Sequence, residues 1–497
     1  VILVGQIFDL EDPKENRGPF RVANRLHRRT REEVIRRQLP FHSGDPYSAT
    51  AIQEAGRILR SNHYFHDAEV CATQVRGDEV DVAVVTRDVW TLIPSFSFGR
   101  KGGANSYTFK IKDRNFLGTG KDLAAESSTT VDRTVTSLLY RDPNLLGSRN
   151  VLDLELENNS DGAARRLALE RPFYSLDARW TAGVQAAVED RTDPLYEAGK
   201  IQAQFHHNIE AATLFWGRST GLNNGWVRRW TVGFTHDQHR FETAEVGPPP
   251  EALPPELTLD YPWFAFELLQ NQFVEVQQLT LLGRTEDFQL GWALRGQVGW
   301  SAQGLGATED QLVTNLTAHK GWRPREDVLL LTQGSFNGRW GGRTETQRTK
   351  LGASLFWRDI GEHVFYVHAE ADRVRNLDHG EQLLLGGDSG LRGYPLRYQD
   401  GDRRFLLTLE QRFYSPWNLF QLVQVGGAVF FDIGRSWFPD EASGPTSGTL
   451  KDVGLGLRLS PSRSGRGALV HVDIAFPLDG DPALQSTQFL VSTHETF

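Results

Sequence analysis

A large antiparallel β-barrel preceded by a small α+β domain is the fold class this sequence predicts, and three observations predict it. From Trp90 to Phe497 apolar residues recur at every second position, the period of a strand with one wetted face. The composition suits such a wall: 39% of the residues are hydrophobic, 11% are aromatic, and 48 of the 497 are glycine. No run approaches the roughly 18 apolar residues of a helical membrane span, whereas a transmembrane barrel hides its apolar surface in alternate positions.

The bulk numbers narrow the function classes. A net charge of −9 argues against a nucleic-acid binder, which needs a basic surface. Cys71 is the one cysteine, so no internal disulfide can form. The sequence starts at Val1 without a charged-then-apolar leader, as expected of a processed or trimmed product.

Residues 1–89 read as a separate small domain. Val1–Leu10 is a strand candidate. Thr30-Arg31-Glu32-Glu33 has the form of a capping box, with Thr30 as N-cap of a helix through Leu39. Ser48 caps a second helix, in which Ile52, Ala55, Ile58 and Leu59 share one apolar face. Ala68–Val75 and Glu79–Arg87 form a hairpin about Gly77-Asp78. The order β-α-α-β-β buries one small core.

The remaining 90–497 alternates throughout. The clearest run is Phe288, Leu290, Trp292, Leu294, Val298 and Trp300; Leu152, Leu154 and Leu156 alternate with Asp153, Glu155 and Glu157. Val453, Leu455, Leu457 and Leu459 interleave with Gly454, Gly456 and Arg458, and Val470, Val472 and Ile474 with His471 and Asp473. Mid-strand charges such as Glu155 and Arg295 suit a wet lumen. A soluble sandwich of this length would divide into domains, yet no linker or second core pattern occurs. Taken at face value the segments number about twenty. Asp113-Arg114-Asn115-Phe116-Leu117-Gly118 and Asp142-Pro143-Asn144-Leu145-Leu146-Gly147 are repeated turns, one hairpin apart.

Two readings compete at "LLLGGDSGLRGYPLRY", residues 383–398. Gly387-Asp388-Ser389-Gly390 has the form of a serine-protease nucleophile loop, but its histidine candidate, His319, lies on an alternating strand too near in sequence. No HExxH, P-loop, GxSxG or clustered metal spacing occurs, so no catalytic residue, metal or cofactor is expected. His206-His207 points to opposite faces of a strand. The other reading places Arg392 on a loop, 378–400, that turns back into the lumen. Phe405, Leu407, Leu409 and Phe413 share the apolar phase, which puts Glu410 inward; Val429, Phe431 and Ile433 do the same for Asp432. Both carboxylates then suit the planar fork of Arg392.

These features carry a resemblance. Residues 1–89, including "LPFHSGDPYS" and "SNHYFHDAEV", resemble a POTRA domain, the periplasmic module of BamA-type outer-membrane proteins, present here in one copy. "DRNFLGTG" resembles an early turn of BamA-type barrels, "LRGY" their VRGF/Y loop motif, and "FFDIGRSW" the facing strand. The resemblance implies Arg392 as loop anchor, Gly393 and Tyr394 shaping the tip, and Asp432 and Glu410 as luminal partners. It also implies sixteen strands. Five segments follow the loop (403–414, 422–435, 449–459, 466–476 and 487–497), placing any surplus in the middle, roughly 195–375.

The ending "STQFLVSTHETF" sets Phe489 and Val491 in phase with terminal Phe497, which resembles the aromatic signal of outer-membrane barrels. The last strand is expected to close on the first near Phe96 and Phe98, at a weak seam that in the family opens laterally. The function implied is insertion or translocation of client proteins or lipid at the bacterial outer membrane, without ATP or enzyme activity. The expected partners are membrane lipids, an unfolded client or secreted passenger at a periplasmic POTRA domain, and periplasmic proteins. The alternatives are the barrel half of a patatin-like lipase, a two-partner-secretion transporter and a passive pore.

Overall fold

The structure, a computed structural model, describes residues 1–277, 279–280, 285–358, 363–376, 382–439, 447–463, 469–481 and 484–494. Terminal Phe497 and residues 378–381 of the loop lie outside the described residues.

The front domain runs β1 (Ile2–Gly5), α1 (Gly18–Leu26), α2 (Glu32–Gln38), α3 (Ala49–Arg60), β2 (Phe65–Arg76) and β3 (Glu79–Asp88). Its sheet has the order β1-β3-β2, with β1 parallel and β2 antiparallel to β3. Ile35, Leu39, Ala55, Leu59, Phe65 and Val84 form the core between helices and sheet. Ser48 Oγ accepts from Ala51 N at 3.2 Å and caps α3.

Two sequence expectations are corrected here. The first strand stops at Gly5, and α1 is an additional helix that begins with Pro19 in its first turn. Thr30 is not a helix cap: the N-cap of α2 is Arg31, without a side-chain bond. Thr30 instead donates through N and Oγ1 to Asp88, at 2.8 and 3.0 Å, and accepts from Asn115 Nδ2 at 2.8 Å. A buried carboxylate outcompeted the local helix end for the hydroxyl.

Twenty strands then close one antiparallel barrel, from Leu92–Lys101 to Gln488–His494. The family-derived count of sixteen is therefore corrected, because every wall segment finds two neighbours in the ring; five strands follow the loop and fifteen precede it. The outer face is apolar, with Leu214, Trp216, Val232, Phe264 and Leu455 exposed upon it. Glycines let flat aromatic rings lie along the inner wall: a Cβ at Gly233 would stand 2.3 Å from the Trp263 ring. Three consecutive strands are unusually long, Trp180–Glu197, Lys200–Asn223 and Trp226–Thr243.

The run from Phe288 to Trp300 is not one strand. Phe273–Gln277 and Thr285–Gln289 form their own two-stranded hairpin, outside the ring, and the wall resumes at Ala293. The break is at Gly291, where a Cβ would meet Gln270 O at 2.3 Å. Alternation continued through it because both the hairpin and the wall have one apolar face.

Candidate functional site

Between the strands His363–Arg375 and Arg403–Leu419, residues 382–402 fold into the barrel as a narrow finger. Leu385 and Gln399 exchange backbone hydrogen bonds at 2.8 and 2.9 Å, and Gly387 N donates to Pro395 O at 2.9 Å. Ser389 belongs to this framework, its Oγ accepting from Gly386 N at 2.8 Å. The glycines serve close approach more than flexibility. A Cβ at Gly387 would stand 2.5 Å from Tyr394 O, and one at Gly393 2.6 Å from Asp452 Cβ.

At the fingertip Arg392 meets the wall. Nε and Nη2 donate to the two oxygens of Asp432 at 2.7 and 3.0 Å, and Nη1 donates to Glu410 Oε2 at 3.0 Å. Asp473 Oδ2 lies 3.6 Å from Nη1, and the guanidinium stacks 3.3 Å from the Phe430 ring centroid. Burial would lower the Arg392 pKa, but these carboxylates outweigh it and raise it, so the group stays charged. Glu410 also accepts from Arg412 Nε at 2.9 Å and Arg458 Nη2 at 3.2 Å, and Arg458 pairs with Asp473. Tyr394 is fully buried, its hydroxyl donating to Lys451 O at 2.8 Å.

The finger also reaches the opposite wall. Arg397 Nη1 donates to Asp132 Oδ1 at 2.7 Å and stacks 4.0 Å from the Tyr196 ring, while Gln382 bonds both the N–H and the C=O of Tyr196. A Cβ at Gly102, in the first barrel turn, would stand 2.2 Å from Leu396 N. The loop therefore spans the lumen at the rim away from the front domain.

At the seam the first and last barrel strands pair, among the described residues, only through Val491 and Arg100. Every other junction joins at least seven residue pairs. Phe96 and Phe98 are engaged on the other side, packing on Phe109 and Tyr107 with ring centroids 4.7 and 5.4 Å apart. Phe489 is exposed on the outer face. Behind the seam a cavity of about 380 Å³ is lined by Arg392, Glu410, Arg412, Asp473, Leu490 and Thr280, among others.

The front domain sits on the opposite rim. The repeated turns are its seat: Asp113 and Asp142 accept from Asn115 N and Asn144 N at 3.0 Å, which bends the chain so that Leu117 and Leu146 take positive φ. Arg31 N donates to Gly118 O at 3.0 Å, Arg149 Nη2 to Leu39 O at 2.7 Å, and Leu176 N to Glu54 Oε1 at 2.6 Å. Arg463 pairs with Glu15 across the rim.

Sequence reasoning placed Arg458 and Asp473 in the luminal phase without joining them to Arg392, and it overlooked Phe430 and Arg412. Their signal was present: each has the inward parity of its strand. Among the described residues no group of three His, Cys, Asp or Glu is placed to hold a metal ion.

The family model described as POTRA, surface antigen variable number repeat, matches residues 23–89. No curated protein matches the chain. Among solved structures it is similar to BamA from Haemophilus ducreyi lacking POTRA domains 1–3, at 15% identity and a TM-score of 0.40, over 100% of this chain and 84% of that one. CdiB from Acinetobacter baumannii is similar at 11% identity and a TM-score of 0.41, over 93% and 71% of the two chains. CdiB from Escherichia coli is similar at 12% and 0.48, over 94% and 74%. The chain thus joins a domain that matches the POTRA model to a closed twenty-stranded antiparallel barrel.

Proposed function

We propose that this chain is an outer-membrane protein of the BamA superfamily. Its POTRA domain faces the periplasm and receives a client protein, and its barrel inserts or translocates that client without ATP or cofactor. The observation that carries the reading is the seam. A closed sheet whose ends, among the described residues, meet only through Val491 and Arg100 gives up little there when it parts, since each ladder hydrogen bond contributes roughly 1 kcal/mol net. The parted edges are unpaired strand templates, which recruit an incoming strand by main-chain bonding. Arg392 holds the loop against the wall beside that seam and keeps the lumen filled while the edge is exchanged.

The test is a reversible lock. In a Cys71→Ser background, Val491→Cys with Arg100→Cys joins the two edges under oxidation. Client assembly in cells depending on this chain is expected to stop and to recover on reduction, while the barrel keeps its folded, heat-modifiable gel mobility. Undiminished assembly with the seam cross-linked rules out lateral opening.

A further inference from the structure

The hairpin Phe273–Gln277/Thr285–Gln289 leaves the wall on the POTRA side and enters the barrel. Val274, Val276 and Phe288 pack with Leu279 against Leu329, Phe356, Val364 and Tyr414, all on the inward parity of four consecutive strands. Tyr414 Oη donates to Leu279 O at 2.9 Å. Leu279 N and Thr280 N donate to Glu286 Oε2 at 3.0 and 2.9 Å, and Thr280 lines the cavity that Arg392 lines from the other side.

The other face of the hairpin is acidic and belongs to the POTRA domain. Glu275 and Asp287 stand directly opposite one another in the hairpin register. Arg60, at the end of α3, grips Asp287 with both arms of its fork, Nε to Oδ2 at 2.8 Å and Nη2 to Oδ1 at 2.6 Å; Nη2 also donates to Glu275. One turn earlier, Arg57 donates to Asn271 Oδ1 at 3.3 Å and stacks 4.3 Å from the Phe273 ring. Arg60 is also fixed from within its own domain, Nη1 donating to Ala68 O at 3.1 Å. A bidentate, largely buried arginine–carboxylate contact is specific in geometry as well as charge.

The geometry points to a built-in occupant. The luminal wall at Leu329, Phe356, Val364 and Tyr414, together with Arg57 and Arg60 of α3, forms a receptor for a β-hairpin with one apolar and one acidic face. The chain's own hairpin fills it in cis as an autoinhibitory plug. A client hairpin of the same two-faced chemistry takes the site by displacing the plug, which α3 holds through Arg57 and Arg60. The client half rests on the transport reading above; the plug and its latch do not.

The test needs no client. The full chain is reconstituted in planar bilayers and its conductance recorded. Arg57→Ala with Arg60→Ala leaves the barrel sequence untouched and is expected to raise the open probability about tenfold, the weight of one or two charged hydrogen bonds. Arg60→Asp with Asp287→Arg is expected to return it toward the wild-type value. Replacing residues 272–290 with a short Gly-Ser turn is expected to give a steadily open pore. A synthetic peptide of residues 271–290 added on the POTRA side then blocks that pore saturably. The same peptide with Glu275→Lys and Asp287→Lys blocks about tenfold more weakly. Unchanged conductance on removing the hairpin overturns the plug, and block that ignores the peptide's charge overturns the latch. Loss of client assembly in the seam-locked protein bears on the transport reading alone.

Discussion

The Arg392 guanidinium faces Asp432, Glu410 and Asp473 and lies flat on Phe430, so removing it leaves several buried carboxylates without their shared cation. Arg392→Glu is expected to destabilise the barrel by about 3–5 kcal/mol, the usual cost of breaking a buried pair from one side. Adding Asp432→Arg is expected to restore part of that loss. The midpoint temperature of the gel-mobility shift reads both, and wild-type behaviour of Arg392→Glu refutes the anchor. Glu54 supplies a pH dependence at the POTRA contact. Burial pushes its carboxyl above the ordinary 4.5, against the opposing pull of the Leu176 N–H. Its pKa is raised in the docked state, so its contribution is fully present below the undocked value and is lost as pH rises through the docked one. Hydrogen exchange across α3 is therefore expected to quicken as pH climbs from about 4.5, after correction for intrinsic exchange. Glu54→Gln, which keeps the acceptor for Leu176, removes that dependence. A pH-independent wild type contradicts it.

Single elements show what could be read in the sequence and what could not. Strand parity placed Glu410 and Asp432 inward because alternation is enforced residue by residue wherever one face is apolar. Parity says nothing about which inward residues a folded-back loop will reach, so the link from Arg392 to Asp473, and through it to Arg458, had no local trace. The hairpin was missed for a related reason: Phe288 is apolar toward the lumen and Leu294 toward the outside, and the pattern runs through both without interruption. The repeated turns read as structure alone, yet they seat the POTRA domain. Gly118 has φ +73, and a Cβ there would stand 2.3 Å from Arg29 O. Gly118→Ala is thus expected to cost about 1–3 kcal/mol and to loosen α2 while leaving the barrel closed. Faster proteolysis between the two domains, with unchanged barrel gel mobility, is the expected result.

At the scale of the whole molecule, barrel width grows with strand number, and twenty strands enclose more than one loop fills. Two in-folded segments share the task. The Arg392 finger crosses from Asp432 to Tyr196 and Asp132 at one end, and the Asp287 hairpin lies across the wall to Tyr414 at the other. Each reports to a different part of the machine, the finger to the first barrel turn at Gly102 and the hairpin to the POTRA helix. The wall itself is uneven, with strands of 18, 24 and 18 residues on one stretch but 10 and, among the described residues, 7 at the seam. At about 3.4 Å per residue and a tilt near 40°, the longest strand climbs roughly 60 Å and the ten-residue seam strand roughly 26 Å. The apolar band of an outer-membrane barrel is about 25 Å tall, which the long stretch overtops and the ten-residue seam strand just spans. The wall is thus tallest far from the meridian where, among the described residues, its sheet has the fewest pairs.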